Sequence, residues 1–134
     1  MIGSFLYNRF NKNYSITALD YSKASIEENF SPLDLTQEAD VETFAEKSPE
    51  FDALIFLVGL AHKKGKGQEI DEFRRINKQT LSNLLSALGK ENKLPNKIIF
   101  ASTISVYGEK INQSMSPEDS KKNPFSPYAV TKFE

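Results

Sequence analysis

Tyr128 and Lys132 stand four residues apart in the segment Ser126-Pro127-Tyr128-Ala129-Val130-Thr131-Lys132. Ser126 is a natural helix N-cap, and Pro127 suits the first helical position, where its missing N–H would have no intrahelical partner. Side chains at i and i+4 share one helix face, so Lys132 is expected beneath the Tyr128 ring. A free phenol titrates near about 10, too high for a base at neutrality, and a neighbouring ammonium stabilises the phenolate form. The spacing therefore suits acid–base chemistry. Alone it carries little weight, because a half-buried tyrosine beside a solvated lysine gives the same pattern more often.

Upstream runs Lys97-Ile98-Ile99-Phe100-Ala101-Ser102-Thr103-Ile104-Ser105-Val106-Tyr107-Gly108. Residues 98–101 form a short apolar run, as expected of a parallel strand buried on both faces. The run opens into hydroxyl-bearing residues at its C-terminal end, where open α/β sheets bind their ligands. Thr103 is thus placed to hold a substrate hydroxyl, and Tyr128 follows 25 residues later.

With these two motifs in this order the chain resembles the extended short-chain dehydrogenase/reductase superfamily, specifically the NAD-dependent nucleotide-sugar epimerase/dehydratase family. That family carries a Ser/Thr-rich strand end followed by Val-Tyr-Gly, then Pro-Tyr-x-x-x-Lys. The resemblance covers the whole chain. Met1-Ile2-Gly3-Ser4-Phe5-Leu6 matches the tail of the family's Gly-x-x-Gly-x-x-Gly fingerprint, with Gly3 as the third glycine, which permits close helix–strand packing. The resemblance implies an internal fragment, with a strand and two glycines before residue 1 and a substrate-binding part after Glu134. A helix cut to about two turns is expected to fray, carrying Tyr128 and Lys132 away from Thr103. The isolated chain is then expected to bind NAD weakly and to turn nothing over.

Composition fits a globular domain. The 134 residues are 39% hydrophobic and 26% charged, with a formal net charge of −1. That balance gives no electrostatic case for nucleic acid or an anionic membrane as partner. The absence of cysteine excludes disulfide and thiolate chemistry. No apolar run approaches the roughly 20 residues needed to span a bilayer, and no signal-peptide pattern opens the chain, so a cytoplasmic location is expected.

The elements alternate without an internal repeat or visible domain boundary, which predicts an α/β fold. It is read as a Rossmann-type doubly wound parallel sheet, incomplete, in a partial NAD(P)-binding domain over 1–134. Residues 4–11 read as the end of a helix with Phe5, Leu6 and Phe10 inward. Residues 15–20 read as a strand, and 38–47 as an acidic helix. Residues 52–58 give the clearest buried strand. A long helix over about 68–91 carries Ile70, Phe73, Leu81, Leu84, Leu85 and Leu88 on one stripe. The strand at 97–102 follows, and the polar 109–124 stretch is long enough to be a working loop.

Asp20 ends the second strand of the full fold, where an acid accepts hydrogen bonds from the adenosine ribose hydroxyls and repels a 2′-phosphate, favouring NAD over NADP. Asp34 and Leu35 resemble the family's Asp-Leu/Ile pair, whose acid faces the adenine amino group. Gly59 follows the buried strand where a small residue lets the backbone approach the cofactor, while Val58 is bulkier than the family's usual alanine. Asn77 interrupts the apolar stripe and, if buried, needs partners. Asn77-Lys78-Gln79-Thr80, with two residues between asparagine and threonine, resembles the family's Asn-x-x-x-Thr, whose asparagine supports the loop near the nicotinamide ribose. His62, beside Lys63 and Lys64, has no metal-ligand cluster around it and reads as a surface or substrate-side residue. Gly65-Lys66-Gly67 lacks the phosphate-loop pattern and reads as a flexible loop.

The resemblance implies Tyr128 as base, Lys132 as its electrostatic partner and ribose ligand, Thr103 on the reacting hydroxyl and Ser102 as a neighbour lining the cofactor. It implies a nucleotide-sugar substrate, UDP-linked, and a homodimeric full-length form. Dehydratases of the family carry Thr-Asp-Glu-Val-Tyr-Gly, where this chain has Thr103-Ile104-Ser105-Val106-Tyr107-Gly108. The acids that drive water elimination are missing, which favours epimerisation. A reductase, a dehydratase and an inactive truncated remnant remain as alternatives.

Overall fold

The computed structural model describes residues 2–21, 30–61, 70–108 and 120–134. His62, the Gly65-Lys66-Gly67 segment and residues 109–119 of the polar stretch lie outside the described residues. Helices and parallel strands alternate along the chain, the α/β arrangement expected from its pattern. Two compact units divide it, Met1–Asp52 with Asn83–Asn96, and Ala53–Ser82 with Lys97–Glu134.

In the first unit α1 (Ile2–Phe10) turns Gly3, Leu6 and Tyr7 inward at helical spacing. Phe5 lies off that face and is 69% exposed, and Phe10 is 38% exposed, which corrects the inner face expected of them. Tyr7 packs on Phe30 instead, with ring centroids 5.6 Å apart. β1 (Ala18–Asp20) pairs in parallel with β2 (Phe30–Pro32), Leu19 facing Ser31. β1 is shorter than the predicted 15–20 because the ladder reaches no further than its short neighbour. β2 carries little strand signal of its own, since serine and proline are weak strand formers and Pro32 has no N–H to donate.

α2 (Glu38–Lys47) occupies the predicted span, burying Val41 and Ala45 one turn apart. Leu84, Ala87 and Leu88 of α4 (Thr80–Lys90) are also core residues. α4 stops at Asn92, whose φ of 56° is the left-handed conformation that ends helices. The turn delivers Lys93, whose Nζ donates to the carbonyls of Ala45, Glu46 and Ser48 at 2.9, 2.8 and 2.9 Å. Those carbonyls end α2 without intrahelical partners, and an ammonium there also meets the negative end of the helix dipole.

In the second unit β3 (Ala53–Phe56) pairs in parallel with β4 (Lys97–Phe100), from Ala53 opposite Lys97 to Phe56 opposite Phe100. Burial concentrates at the C-terminal end of the pair, where Phe56 stacks on Phe100 at 6.2 Å. Ile55, Ile98 and Ile99 are 45%, 44% and 49% exposed, contrary to the expectation of strands buried on both faces. The ladder in this unit is two strands wide, and so narrow a ladder gives its faces few neighbours. The helix read over 68–91 is not uniform: α3 (Ile70–Arg74) passes into a π-helical turn over Arg75–Gln79 before α4. A 3₁₀ turn (Ile104–Tyr107) follows β4, and α5 (Pro127–Phe133) comes last. Ser126 caps α5 as expected, its Oγ accepting from the Ala129 N–H at 3.1 Å with Pro127 at the first helical position. The helix is formed rather than frayed, because contacts made by Thr131 and Lys132 hold it.

Replacing Lys93 with methionine keeps its packing and removes the ammonium from three carbonyls, of which that of Ala45 keeps the Ser48 hydroxyl at 3.1 Å. We expect the Lys93→Met chain to lose about 1–3 kcal/mol in urea unfolding, the range for hydrogen bonds to a charged group. An unchanged midpoint would remove the ammonium from this capping role.

Candidate functional site

Asn77, 1% exposed, sits in the middle of the π-helical turn. Its Oδ1 accepts from the Leu60 N–H at 2.6 Å, and its Nδ2 donates to the Leu60 carbonyl at 3.2 Å and to Thr131 Oγ1 at 2.9 Å. One side-chain amide thus reads both backbone groups of Leu60, in the loop after β3, and reaches α5 as well. A π turn is wider than an α turn and is frequent at functional sites. The Thr80 hydroxyl donates to the Ile76 carbonyl at 2.6 Å within this stretch. Thr131 in turn donates to the carbonyls of Pro127 and Tyr128, at 2.8 and 3.2 Å, the back-bond that lets a threonine sit inside a helix.

Lys132 is 6% exposed. Its Nζ donates to the Val58 carbonyl at 3.0 Å and stands 4.6 Å from the centroid of the Phe100 ring. The aromatic face that receives the ammonium is therefore that of Phe100, whereas helical spacing had suggested Tyr128. Burial pushes the Lys132 ammonium below the ordinary lysine value. Tyr128 is half-buried on the same helix, and the far end of α5 is tied down by a two-pronged pair between Arg74 and Glu134 with Lys78 beside it.

Thr103 caps the 3₁₀ turn beyond β4. Its Oγ1 accepts from the Ser105 N–H and donates to Ser105 Oγ, both at 3.2 Å. Gly108 closes the turn with φ at 87°, and a Cβ there would stand 2.7 Å from the Asn123 carbonyl oxygen. Only glycine accepts both conditions. The Asn123 N–H donates to the Val106 carbonyl at 3.0 Å, which brings the chain back towards Ser126 and α5. Among the described residues no group of three or more His, Cys, Asp or Glu is placed to hold a metal ion.

Residues 1–134 match the family model of the NAD dependent epimerase/dehydratase family. The chain belongs to this family. No curated protein sequence matches it. Among solved structures it is similar to the UDP-glucose 4-epimerase of Thermotoga maritima with UDP-glucose, at 24% identity and a TM-score of 0.79 over 99% of this chain and 45% of that one. It is also similar to the Thermus thermophilus UDP-glucose 4-epimerase in complex with NAD, at 26% identity and 0.77 over 98% and 44%. A third likeness is to a hypothetical dTDP-4-dehydrorhamnose reductase from Sulfolobus tokodaii, at 23% identity and 0.73 over 98% and 45%. The chain spans less than half the length of these structures.

Of the epimerase/dehydratase-family positions, the second unit draws Val58, Gly59, Asn77 and Lys132 together around the loop after β3. Ser102 is exposed just beyond β4. In the first unit Gly3 lies on the inward face of α1, and Asp20 is the last residue of β1. Asp34 Oδ1 accepts from the Thr36 N–H and hydroxyl, at 2.9 and 2.7 Å, so part of that carboxylate shapes its own turn. The Leu35 carbonyl accepts from Asn83 Nδ2 at 3.0 Å. Thr131 and Ser105 were not singled out from the sequence. The signal for Thr131 was its place between Tyr128 and Lys132, where a hydroxyl faces the same side as the buried amide. The signal for Ser105 was its two-residue spacing from Thr103, which suits a side-chain-to-backbone turn.

A lysine whose pKa is lowered by folding binds its proton more tightly in the unfolded chain. Native stability therefore rises with pH as the ordinary value of 10.5 is approached from below. Lys132→Met lacks this contribution, so the native chain should gain on the variant in urea midpoint as the pH is raised towards 10.5. A difference that stays flat, or runs the other way, would contradict a buried ammonium at this position.

Proposed function

We propose that the chain is the part of an NAD-dependent nucleotide-sugar epimerase that holds the proton-transfer groups. The observation that carries this reading is the seat of Lys132. Its ammonium is buried at the C-terminal end of β3, on the helix that bears Tyr128, and the Asn77–Thr131 bond fixes that helix to the loop after β3. A buried cation just beyond the carboxyl end of a strand, where open α/β sheets bind their ligands, is a candidate for a functional group.

The residues fit a nicotinamide nucleotide. The missing Cβ of Gly59 leaves the Lys132 ammonium its place beside the loop after β3, and Lys132 is a donor suited to ribose hydroxyls. In the first unit Asp20, as an acceptor at a strand end, suits the adenosine ribose and opposes a 2′-phosphate. When bound, NAD supplies a hydride acceptor that can give the hydride back. Tyr128, as phenolate, takes the proton of the sugar hydroxyl and later returns it. Lys132, one turn further along the same helix, holds its positive charge at the Val58 carbonyl. Thr103, polarised through Ser105, orients the reacting oxygen. Ile104 and Ser105 occupy the positions of the dehydratase acids, so no carboxyl is supplied from this turn to protonate a leaving hydroxyl. That supports epimerisation over dehydration.

In the enzyme containing this chain, Tyr128→Phe should retain NAD binding while turnover of UDP-hexose falls at least about 10²-fold, the range for general acid–base groups. Near-normal turnover would take the proton transfer away from Tyr128, and net accumulation of NADH would point to net oxidation of the sugar, the reverse of a reductase reaction, in place of epimerisation. Calorimetry should find NAD bound at least about tenfold more tightly than NADP, or about 1.4 kcal/mol. Asp20→Ala should narrow that ratio, and equal affinities in the native protein would refute the role of Asp20.

A further inference from the structure

Gly59 is the residue nearest the buried ammonium whose type calls for a reason. Its backbone does not demand glycine: among the described glycines only Gly108 has a positive φ. Nor does crowding by the surrounding fold. An ideal Cβ on Gly59 would meet Asn77 Oδ1 at 3.5 Å, an ordinary contact. The one group it would collide with is the end of Lys132, with Nζ at 2.9 Å and Cε at 3.0 Å. That same Nζ is held by the Val58 carbonyl and the Phe100 ring face.

We propose that Gly59 is a positioning residue whose missing Cβ reserves the seat of the Lys132 ammonium between the Val58 carbonyl and the Phe100 ring. A lysine end is flexible, so a methyl group at Gly59 displaces the ammonium rather than the loop. The Nζ then leaves the Val58 carbonyl, and its charge moves towards water. Glycine here thus sets where a mobile cation rests, a role separate from letting a ligand approach the backbone. Its bearing on catalysis rests on the function proposed for Lys132. The seat itself is a property of the chain without cofactor, and it is tested there.

The test is nuclear magnetic resonance on chains labelled at lysine, with the Lys132 signals assigned by their loss in Lys132→Met. In the native chain the Lys132 ammonium protons should exchange slowly, and its Cε should titrate below the other lysines. In Gly59→Ala, with an unchanged circular dichroism spectrum, exchange should quicken at least about tenfold and the titration should move up towards the ordinary value. Unchanged exchange and titration in a folded Gly59→Ala chain would overturn the proposal. Should Gly59→Ala fail to fold, the double variant Gly59→Ala/Lys132→Ala decides. Its folding as well as Lys132→Ala alone supports the proposal, because the Cβ then meets nothing, and its failure beside a folded Lys132→Ala overturns it. Loss of turnover in Tyr128→Phe bears on the function and leaves this result untouched.

Discussion

The second unit depends on one buried amide. Asn77 satisfies both backbone groups of Leu60 and the hydroxyl of Thr131, so a loop and a helix are fixed to a third element by a single side chain. Apolar packing tolerates sliding, whereas hydrogen-bond geometry does not, and a buried donor without its acceptor costs about 1–3 kcal/mol. The π-helical turn is where the helix departs from regularity to bring that amide to both partners. Everything placed on α5 inherits its position from this clamp.

The buried ammonium of Lys132 follows from the same constraint. Burying a charge is costly unless it is paired or hydrogen-bonded. Here the compensation is partial: one carbonyl and one aromatic face, with no carboxylate among its named partners. A cation held under such terms is sensitive to what approaches it, and neighbouring groups feel its charge through a medium that screens less than water. The fold thus keeps an electrostatic resource in a form that surface lysines, already neutralised by solvent, do not provide.

Much of this was legible in the residues. Ser126-Pro127 announced a helix start, and the acidic 38–47 segment its own helix, because caps and periodicity are local properties. Asn77 stood out as a polar residue on an apolar stripe, and that stripe led inside. What the sequence did not convey was non-local. β2, with Ser31 and Pro32, exists because β1 lies beside it. The apolar runs at 53–58 and 97–101 show what a strand is able to bury, while their actual cover depends on how many strands flank them. Phe5 is apolar yet turned outward, since hydrophobicity names a candidate for burial and helical phase decides. The partner of Lys132 was misplaced for the same reason, because spacing along α5 carries no information about Phe100.

The contacts that hold α5 join residues far apart along the chain. Thr131 meets Asn77 across 54 positions, Glu134 meets Arg74 across 60, and Lys132 meets Val58 across 74. Seven residues are too few for a helix to persist by itself in water. The ordering of α5 therefore has to wait until long loops have closed, and loop closure is the slow, entropically opposed part of folding. The segment bearing Tyr128 and Lys132 therefore owes its helix to partners that lie far away along the chain. A nascent chain that has built β3 and the π turn has a receptor for α5 before it has the helix itself, so Tyr128 and Lys132 are ordered only on a scaffold already in place.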